Sequence, residues 1–415
     1  MKGNLPQPSR ARPGEEVNRR RELPGNPAEG GGSPPSVLAR WMRRLGSPRL
    51  TVVLLAMACV LVFAGTLAQV KIGIQGAQER YFRSLLVYWT VPGAGLRIPV
   101  FPGGYAVGAA MLLNLIGAGW LFGSVRRRPW LWLAHIGLAV ILLGQLAVDT
   151  WSVESFIRFR EGEERSYSEH DQRYELALID TTDPDRDQVW AIPQTLLARS
   201  KEIRDPRLPF VIRVRRWLPN SVPANASEPS PSPASRGVGA RVAVQPAPPV
   251  SDPDRKNVPS AYVELLDRQG RSLGTWLVSG WLEASQEIRS QDRLYQISLR
   301  PERFYFPFRI KLIDFIHENY PGTSIPKYFA SRVHLVDSER NQDRTLLIYM
   351  NHPLRYRGWT FYQAGYDEWD ERVSILQAVR NPAWITPYLS CALVSVGLAG
   401  QFAARLWKQR RNQVA

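Results

Sequence analysis

The sequence predicts a membrane protein: four transmembrane helices with a large extracytoplasmic β-rich domain, sandwich or barrel-like, between helices three and four. Three observations predict it. Four apolar stretches, at 50–68, 104–125, 130–148 and 384–404, each run about 19 to 22 residues, enough to cross a ~30 Å hydrocarbon core. Basic residues crowd the flanks of these stretches. Between the third and fourth lies a long segment of short, alternating apolar runs rich in β-branched and aromatic residues, the pattern of half-buried strands.

The formal charge of +16 and pI near 10.1 would suggest a nucleic-acid or anionic-surface partner, but its distribution says otherwise. Residues 1–49 carry ten Lys/Arg against four Asp/Glu, Arg126, Arg127 and Arg128 add three, and Arg405, Lys408, Arg410 and Arg411 add four, while 149–383 is neutral. The excess hugs the spans, and no nucleic-acid face is expected. Short loops rich in Lys/Arg stay cytosolic. The cluster of Arg40, Arg43, Arg44 and Arg49, the 126–128 turn and the C-terminal cluster therefore agree on one topology: both termini cytosolic, 69–103 and 149–383 outside.

In chain order, residues 1–40 form a tail whose first 36 residues mix Pro, Gly, Arg and Glu with almost no large apolar groups; such a segment cannot offset the entropy of ordering and is expected to be disordered. The membrane region follows at 41–148. Its first span lacks a small-residue cleavage site and reads as an anchor. In the short external segment 69–103, Ile74, Tyr81, Phe82, Leu85, Leu86 and Trp89 recur at three- and four-residue spacing, which predicts an amphipathic helix along the interface or against the exported domain. Pro102, Gly103 and Gly104 break the chain before the second span.

The exported domain, 149–383, is expected to hold strands near 174–179, 211–217, 262–266, 275–278, 294–299, 308–315, 332–336, 345–350, 359–363 and 373–379. Turns at 267–270 and at Pro321 and Gly322 separate them. A Pro-, Ala- and Ser-rich stretch at 219–259 reads as a disordered loop insertion. The fourth span, 384–404, and a basic cytosolic tail, 405–415, close the chain. Cys59 and Cys391 both fall in spans, so no disulfide framework staples the exported domain.

Across the four spans one ionisable side chain stands out, His135. A titratable group there is expensive unless it pairs, ligates or faces a cavity. It lies about five residues in from the 126–128 turn, roughly 7 to 8 Å below the cytosolic boundary at ~1.5 Å per residue. A neutral imidazole offers one lone pair to a metal and one N–H to a neighbour, which suits axial ligation of haem iron. An interhelical hydrogen bond to Asn114 or Gln145 would also satisfy it. No other span supplies a second histidine, and His170, His317, His334 and His352 all lie outside without metal-ligand spacing. No G-x-S-x-G, H-E-x-x-H or glycine-rich phosphate loop is present, so self-contained hydrolytic or transfer catalysis is not expected.

The densest pattern is Asn351-His352-Pro353-Leu354-Arg355-Tyr356-Arg357-Gly358-Trp359-Thr360-Phe361-Tyr362-Gln363. Physically it is a strand end, a Pro-fixed bend, a glycine turn and a strand of large aromatics, and a tight β corner in the core would account for it. The run resembles the N-x-P-L-x-Y-x-G-x-x-F-Y-Q signature of the ResB (CcsB) family of cytochrome c biogenesis proteins. The matching residues are Asn351, Pro353, Leu354, Tyr356, Gly358, Phe361, Tyr362 and Gln363. The preceding stretch 306–337, the layout of spans, and His135-Ile136-Gly137-Leu138 with Gly144 are also similar to that family. Ala364 and Gly365, where the family often has two serines, and the 219–259 insertion depart from it.

The resemblance implies a subunit of the System II cytochrome c synthase, in the bacterial cytoplasmic (inner) membrane, that is not a self-sufficient haem lyase. It implies haem delivery across the membrane and covalent attachment to apocytochrome c together with a ResC/CcsA-type membrane protein. Haem b would be held transiently, shared with that partner, with His135 as an axial ligand. The alternative class is a membrane-anchored assembly scaffold that binds no haem.

Overall fold

The computed structural model describes residues 37–91, 96–121, 128–224, 232–250, 256–290, 293–323, 325–367 and 369–414. Residues 1–36 of the expected tail, and arginines 126 and 127 of the expected cytosolic turn, lie outside the described residues.

A short helix α1 (Val37–Leu45) leads into α2 (Pro48–Ala77). Ser47 caps α2, its hydroxyl accepting from the Leu50 N–H, with Pro48 in the first turn where its missing N–H costs nothing. α2 kinks at Gly73 (φ 73°) and runs into a π turn, Gln78–Phe82. The hairpin β1 (Leu86–Thr90) and β2 (Arg97–Pro102) follows, then α3 (Gly104–Leu121) and α4 (Pro129–Trp151); α6 (Thr386–Val414) comes after the β domain. Three helical stretches, Pro48–Phe82, Pro129–Trp151 and Thr386–Gln413, are long and apolar enough to cross a membrane, and Gly104–Gly119 is a shorter apolar helix. The amphipathic helix expected between the first two spans is not formed. Its residues divide between the end of α2, the π turn and the β1–β2 hairpin, because Val87, Tyr88 and Trp89 satisfy a strand period as readily as a helical one.

Small residues set the helix packing. A Cβ on Gly137 would lie 2.7 Å from Val394 Cγ2, one on Gly144 2.6 Å from Thr386 Cβ, and one on Gly397 2.7 Å from the Ala134 nitrogen. α4 and α6 therefore approach backbone to backbone as an antiparallel pair, the way small residues let helices associate in lipid. Ser390 Oγ donates to the Gly137 carbonyl across this seam (2.8 Å). At the other pole Asn114 of α3 accepts from Thr51 Oγ1 (2.8 Å) and donates to the Leu45 carbonyl (2.6 Å).

The β domain is sandwich and barrel at once. A ten-stranded antiparallel sheet runs β15-β14-β13-β4-β3-β18-β17-β16, with β12 (Gln286–Ser290) added to β13 and β5 (Gln188–Pro193) to β4. Its members are β3 (Val153–Arg160), β4 (Glu164–Asp180), β13 (Arg293–Asn319), β14 (Pro326–Asp337), β15 (Gln342–Tyr349), β16 (Leu354–Tyr356), β17 (Trp359–Tyr366) and β18 (Val373–Arg380). β15 and β16, at the two ends of this order, follow one another through a turn bridged at Tyr349 and His352, and the sheet curls into a nearly closed barrel. The barrel is filled by Ile157, Phe159, Phe306, Phe308, Ile310, Val333, Phe361 and Leu376.

The long strands β4 and β13 bend out of the barrel. There they pack on a four-stranded sheet of β6 (Glu202–Ile203), β7 (Val211–Leu218), β10 (Ser260–Leu266) and β11 (Ser272–Ser279), with Leu176, Leu178, Ile212, Val263 and Ile297 between the layers. A short helix α5 (Gln194–Arg199) covers one side through Leu197. The two strands expected at 294–299 and 308–315 are thus one strand, bent where its register shifts.

The Pro-rich stretch is ordered where it is described. β8 (Ser221–Pro223) pairs with β9 (Val244–Pro246), and Gly239 sits against Leu277, where a Cβ would lie 2.4 Å from the leucine Cβ. The expected disorder of 219–259 therefore does not hold for 232–250; residues 225–231 and 251–255 lie outside the described residues. Composition missed this because the anchoring contacts are few and long-range, Val238 N–H donating to Gln286 Oε1 and Gln286 Nε2 to the Leu277 carbonyl.

Candidate functional site

His135 lies in the second turn of α4, partly buried. Its Nδ1 is 2.9 Å from the Leu131 carbonyl. A carbonyl only accepts, so in the neutral ring Nδ1 carries the proton and Nε2 the lone pair. That is the tautomer in which ligating histidines are usually held by a backbone oxygen. Asn114 is bonded elsewhere, as above, and Gln145 sits ten residues, about 15 Å, further along the same helix, so neither is the interhelical partner of this ring. At 3.6 residues per turn His135 falls roughly 145° around the helix from the stripe of Ala134, Gly137 and Gly144 that meets α6, leaving it on a side of α4 that α6 does not cover.

The other histidines are spread over the β domain. His170 Nδ1 accepts from the backbone N–H of Gln172 and Arg173, His334 Nε2 is 2.5 Å from Asp343 Oδ1, and His352 stacks on Tyr349 at 4.1 Å between centroids. His317 packs on Tyr366 at 4.4 Å. Among the described residues no cluster of three or more His, Cys, Asp or Glu is placed to hold a metal.

The motif residues converge on one hairpin of the barrel, and most are spent on its architecture. Asn351, with φ 63°, turns the chain between β15 and β16 ahead of Pro353, and Leu354 packs on the barrel core. Tyr356 and Trp359 pair across a two-residue turn, Arg357-Gly358, with φ of 47° and 78°; two positive φ values make the turn twist with the strands. Glycine accepts this freely, but an arginine must be held there. The hold is Asp337, fully buried at the end of β14. Arg357 Nε lies 2.7 Å from its Oδ2, Tyr356 donates to the same oxygen at 2.6 Å, and Arg357 Nη1 donates to Glu339 at 2.7 Å.

Phe361 is fully buried, edge-on to Phe306 at 5.6 Å and Phe308 at 6.1 Å. Gln363 accepts from Ser331 Oγ (2.6 Å) and donates to the Gly365 carbonyl and Ser374 Oγ, closing a buried polar knot at the bulge that Ala364 makes in β17. Tyr362, on the opposite face of the pleat, is exposed. Asp337 is the residue of this hairpin that sequence reading missed: it sits 20 positions before its arginine, and only the register of β14 beside the hairpin brings the two together.

Residues 284–381, β12 through β18 with this hairpin, match the family model described as the ResB-like family. Protein NrfI of Wolinella succinogenes is 34% identical over 107 residues. That alignment covers 26% of this chain and spans 12% of the length of that relative. Over the matched segment and the hairpin it encloses, the chain is similar to the ResB-like family.

Proposed function

We propose that this protein is a membrane subunit of a cytochrome c biogenesis machinery. It takes part in delivering haem across the membrane and in attaching it to apocytochrome c, together with a ResC/CcsA-type membrane protein. The observation that carries this reading is the ResB-like match over 284–381, the part of the β domain built around the signature hairpin. In this reading haem is cargo, shared with the partner.

His135 is the residue of this chain that fits haem iron: a lone imidazole in an apolar span, its Nδ1 proton committed to the Leu131 carbonyl, so that Nε2 is the basic nitrogen. A second axial ligand comes from the partner. Thioether formation takes place between haem vinyl groups and the cysteine thiols of the apocytochrome on the outer face, with the β domain positioning the participants.

A second reading, an assembly scaffold that binds no haem, is favoured by one observation: Tyr356, Gly358, Phe361 and Gln363 serve the barrel itself. Co-expression with the partner decides between them. Haem content and cytochrome maturation are measured for the native protein and for His135→Ala, with and without added imidazole. Loss of haem on substitution and its return with imidazole support ligation. A substituted complex that keeps its haem and still matures cytochromes rules it out, and a native complex without a Soret band establishes the scaffold.

A further inference from the structure

The register of the barrel fixes which end faces the membrane helices. α4 ends at Trp151 and β3 begins at Val153; β18 ends at Arg380 and α6 begins at Thr386; and Val153 pairs with Arg380. Thr360 of β17 pairs with Val379, so the Arg357-Gly358 turn and Trp359 stand at this same membrane-proximal end. Two clefts open here, of about 320 and 420 Å³, and both are lined by Arg357 and Trp359. The first also holds Arg355, Tyr362 and Trp384, the second Arg303 and Arg380, and among the described residues no acidic side chain lines either.

The arginines differ in how they are used. Arg303 is paired with Glu169 and Arg357 with Asp337 and Glu339. Arg355 and Arg380 are exposed and form no ion pair among the described residues. The Arg355 guanidinium lies instead 5.6 Å from the Trp384 ring centroid, an arrangement that holds the charge in place and leaves its N–H groups for an anion. Trp384 and Tyr388 mark the start of α6, where aromatic side chains sit at the level of lipid headgroups.

We propose that these two clefts each bind the headgroup phosphate of an anionic phospholipid of the outer leaflet, the first through Arg355 beside Trp384 and the second through Arg380 beside Trp359. The sites would hold the barrel against the bilayer. They rest on α4 and α6 crossing the membrane, and not on the role in cytochrome biogenesis. Fixed arginines near a membrane surface favour an anionic lipid by about fivefold each.

The test uses the full chain in nanodiscs of phosphatidylcholine containing a minor fraction of phosphatidylglycerol, with retained lipid counted by native mass spectrometry. The native chain should enrich phosphatidylglycerol, and R355Q/R380Q should lower that enrichment at least fivefold. R355K/R380K should keep most of it, which separates charge from folding. Equal retention of the two lipids by the native chain, or unchanged enrichment in R355Q/R380Q, overturns the proposal. Competition by inorganic phosphate at millimolar concentration overturns the lipid assignment in favour of a free-anion site. Brominated phosphatidylglycerol should quench the native chain more than Trp384→Phe; equal quenching removes this end of α6 from the interface, and the sites with it.

Discussion

Phe361→Ala separates an architectural role for the signature hairpin from a ligand-binding one. The phenylalanine is fully buried, with Phe306 and Phe308 edge-on to it and Ile310, Val333 and Leu376 in the same core. Removing a ring from such a site forfeits its transfer free energy and leaves a cavity that a closed barrel collapses poorly, a loss of about 3–5 kcal/mol. Set against a total stability of about 5–15 kcal/mol, that is a large share; at roughly 2–4 °C per kcal/mol for a domain of this size, the melting temperature should fall by about 10 °C. Tyr362→Ala, one residue along and on the outer face of the pleat, should stay within about 0.5 kcal/mol of native. Thermal unfolding of the full chain in detergent, followed by the β signal in circular dichroism, measures both. A loss below about 1 kcal/mol for Phe361→Ala, or equal losses at the two positions, would refute the claim that the hairpin is core structure.

Three further outcomes follow from the same geometry. Gly397→Leu should part α4 from α6, because even a Cβ there lies 2.7 Å from the Ala134 nitrogen; a destabilisation of about 1–3 kcal/mol and loss of cross-linking between cysteines placed on the two helices should appear, and intact cross-linking would show that the helices do not touch there. Arg300→Met should cost about 3–5 kcal/mol by leaving the Glu175 carboxylate, 3.0 Å from Arg300 and 7% exposed, without its partner inside the sheet; a melting temperature within a degree of native would count against the pair. Burial holds the His170 imidazole neutral, its pKa lowered from 6.5 to about 4, with Arg173 adding repulsion. Since the unfolded chain takes up the proton first, stability should be full above pH 6.5 and fall between 6.5 and 4, by no more than about 1–2 kcal/mol after solvent screening. His170→Asn should flatten that slope in a melting-temperature series, and an unchanged slope assigns it to other groups.

Three of the expected spans were legible because a bilayer demands long apolar runs, and most strands because a half-buried sheet demands alternation; both constraints act on neighbours in sequence. What escaped was set by distant partners. β3 was not visible in Val153-Glu154-Ser155-Phe156, whose burial depends on pairing with β18 more than two hundred residues later. The order of 232–250 depends on Gln286 and Leu277, and the strained Arg357 on Asp337. Reading the 351–363 run as a tight β corner did foresee its geometry, since Pro353 and Gly358 limit the backbone locally. His135 was equally conspicuous as the ionisable group of the apolar spans, but its bond to the Leu131 carbonyl, and hence its tautomer, required coordinates.

Distance constrains what His135 can do. α4 continues 16 residues past it to Trp151, a rise of about 24 Å, before the chain enters β3. The α4–α6 seam and the β3–β18 ladder form one antiparallel pair from the helices into the sheet, with Gly144 against Thr386 near the junction. That connection has little slack to bring the barrel down to the imidazole. On the proposed reading, a haem ligated by His135 must leave that nitrogen before its vinyl groups can meet thiols on the outer face. On that reading the partner supplies the outer iron ligands as well as sharing the inner one. A complex in which His135→Ala lowers haem content while externally supplied haem still restores cytochrome maturation would place the imidazole in transport and the bond-forming step elsewhere.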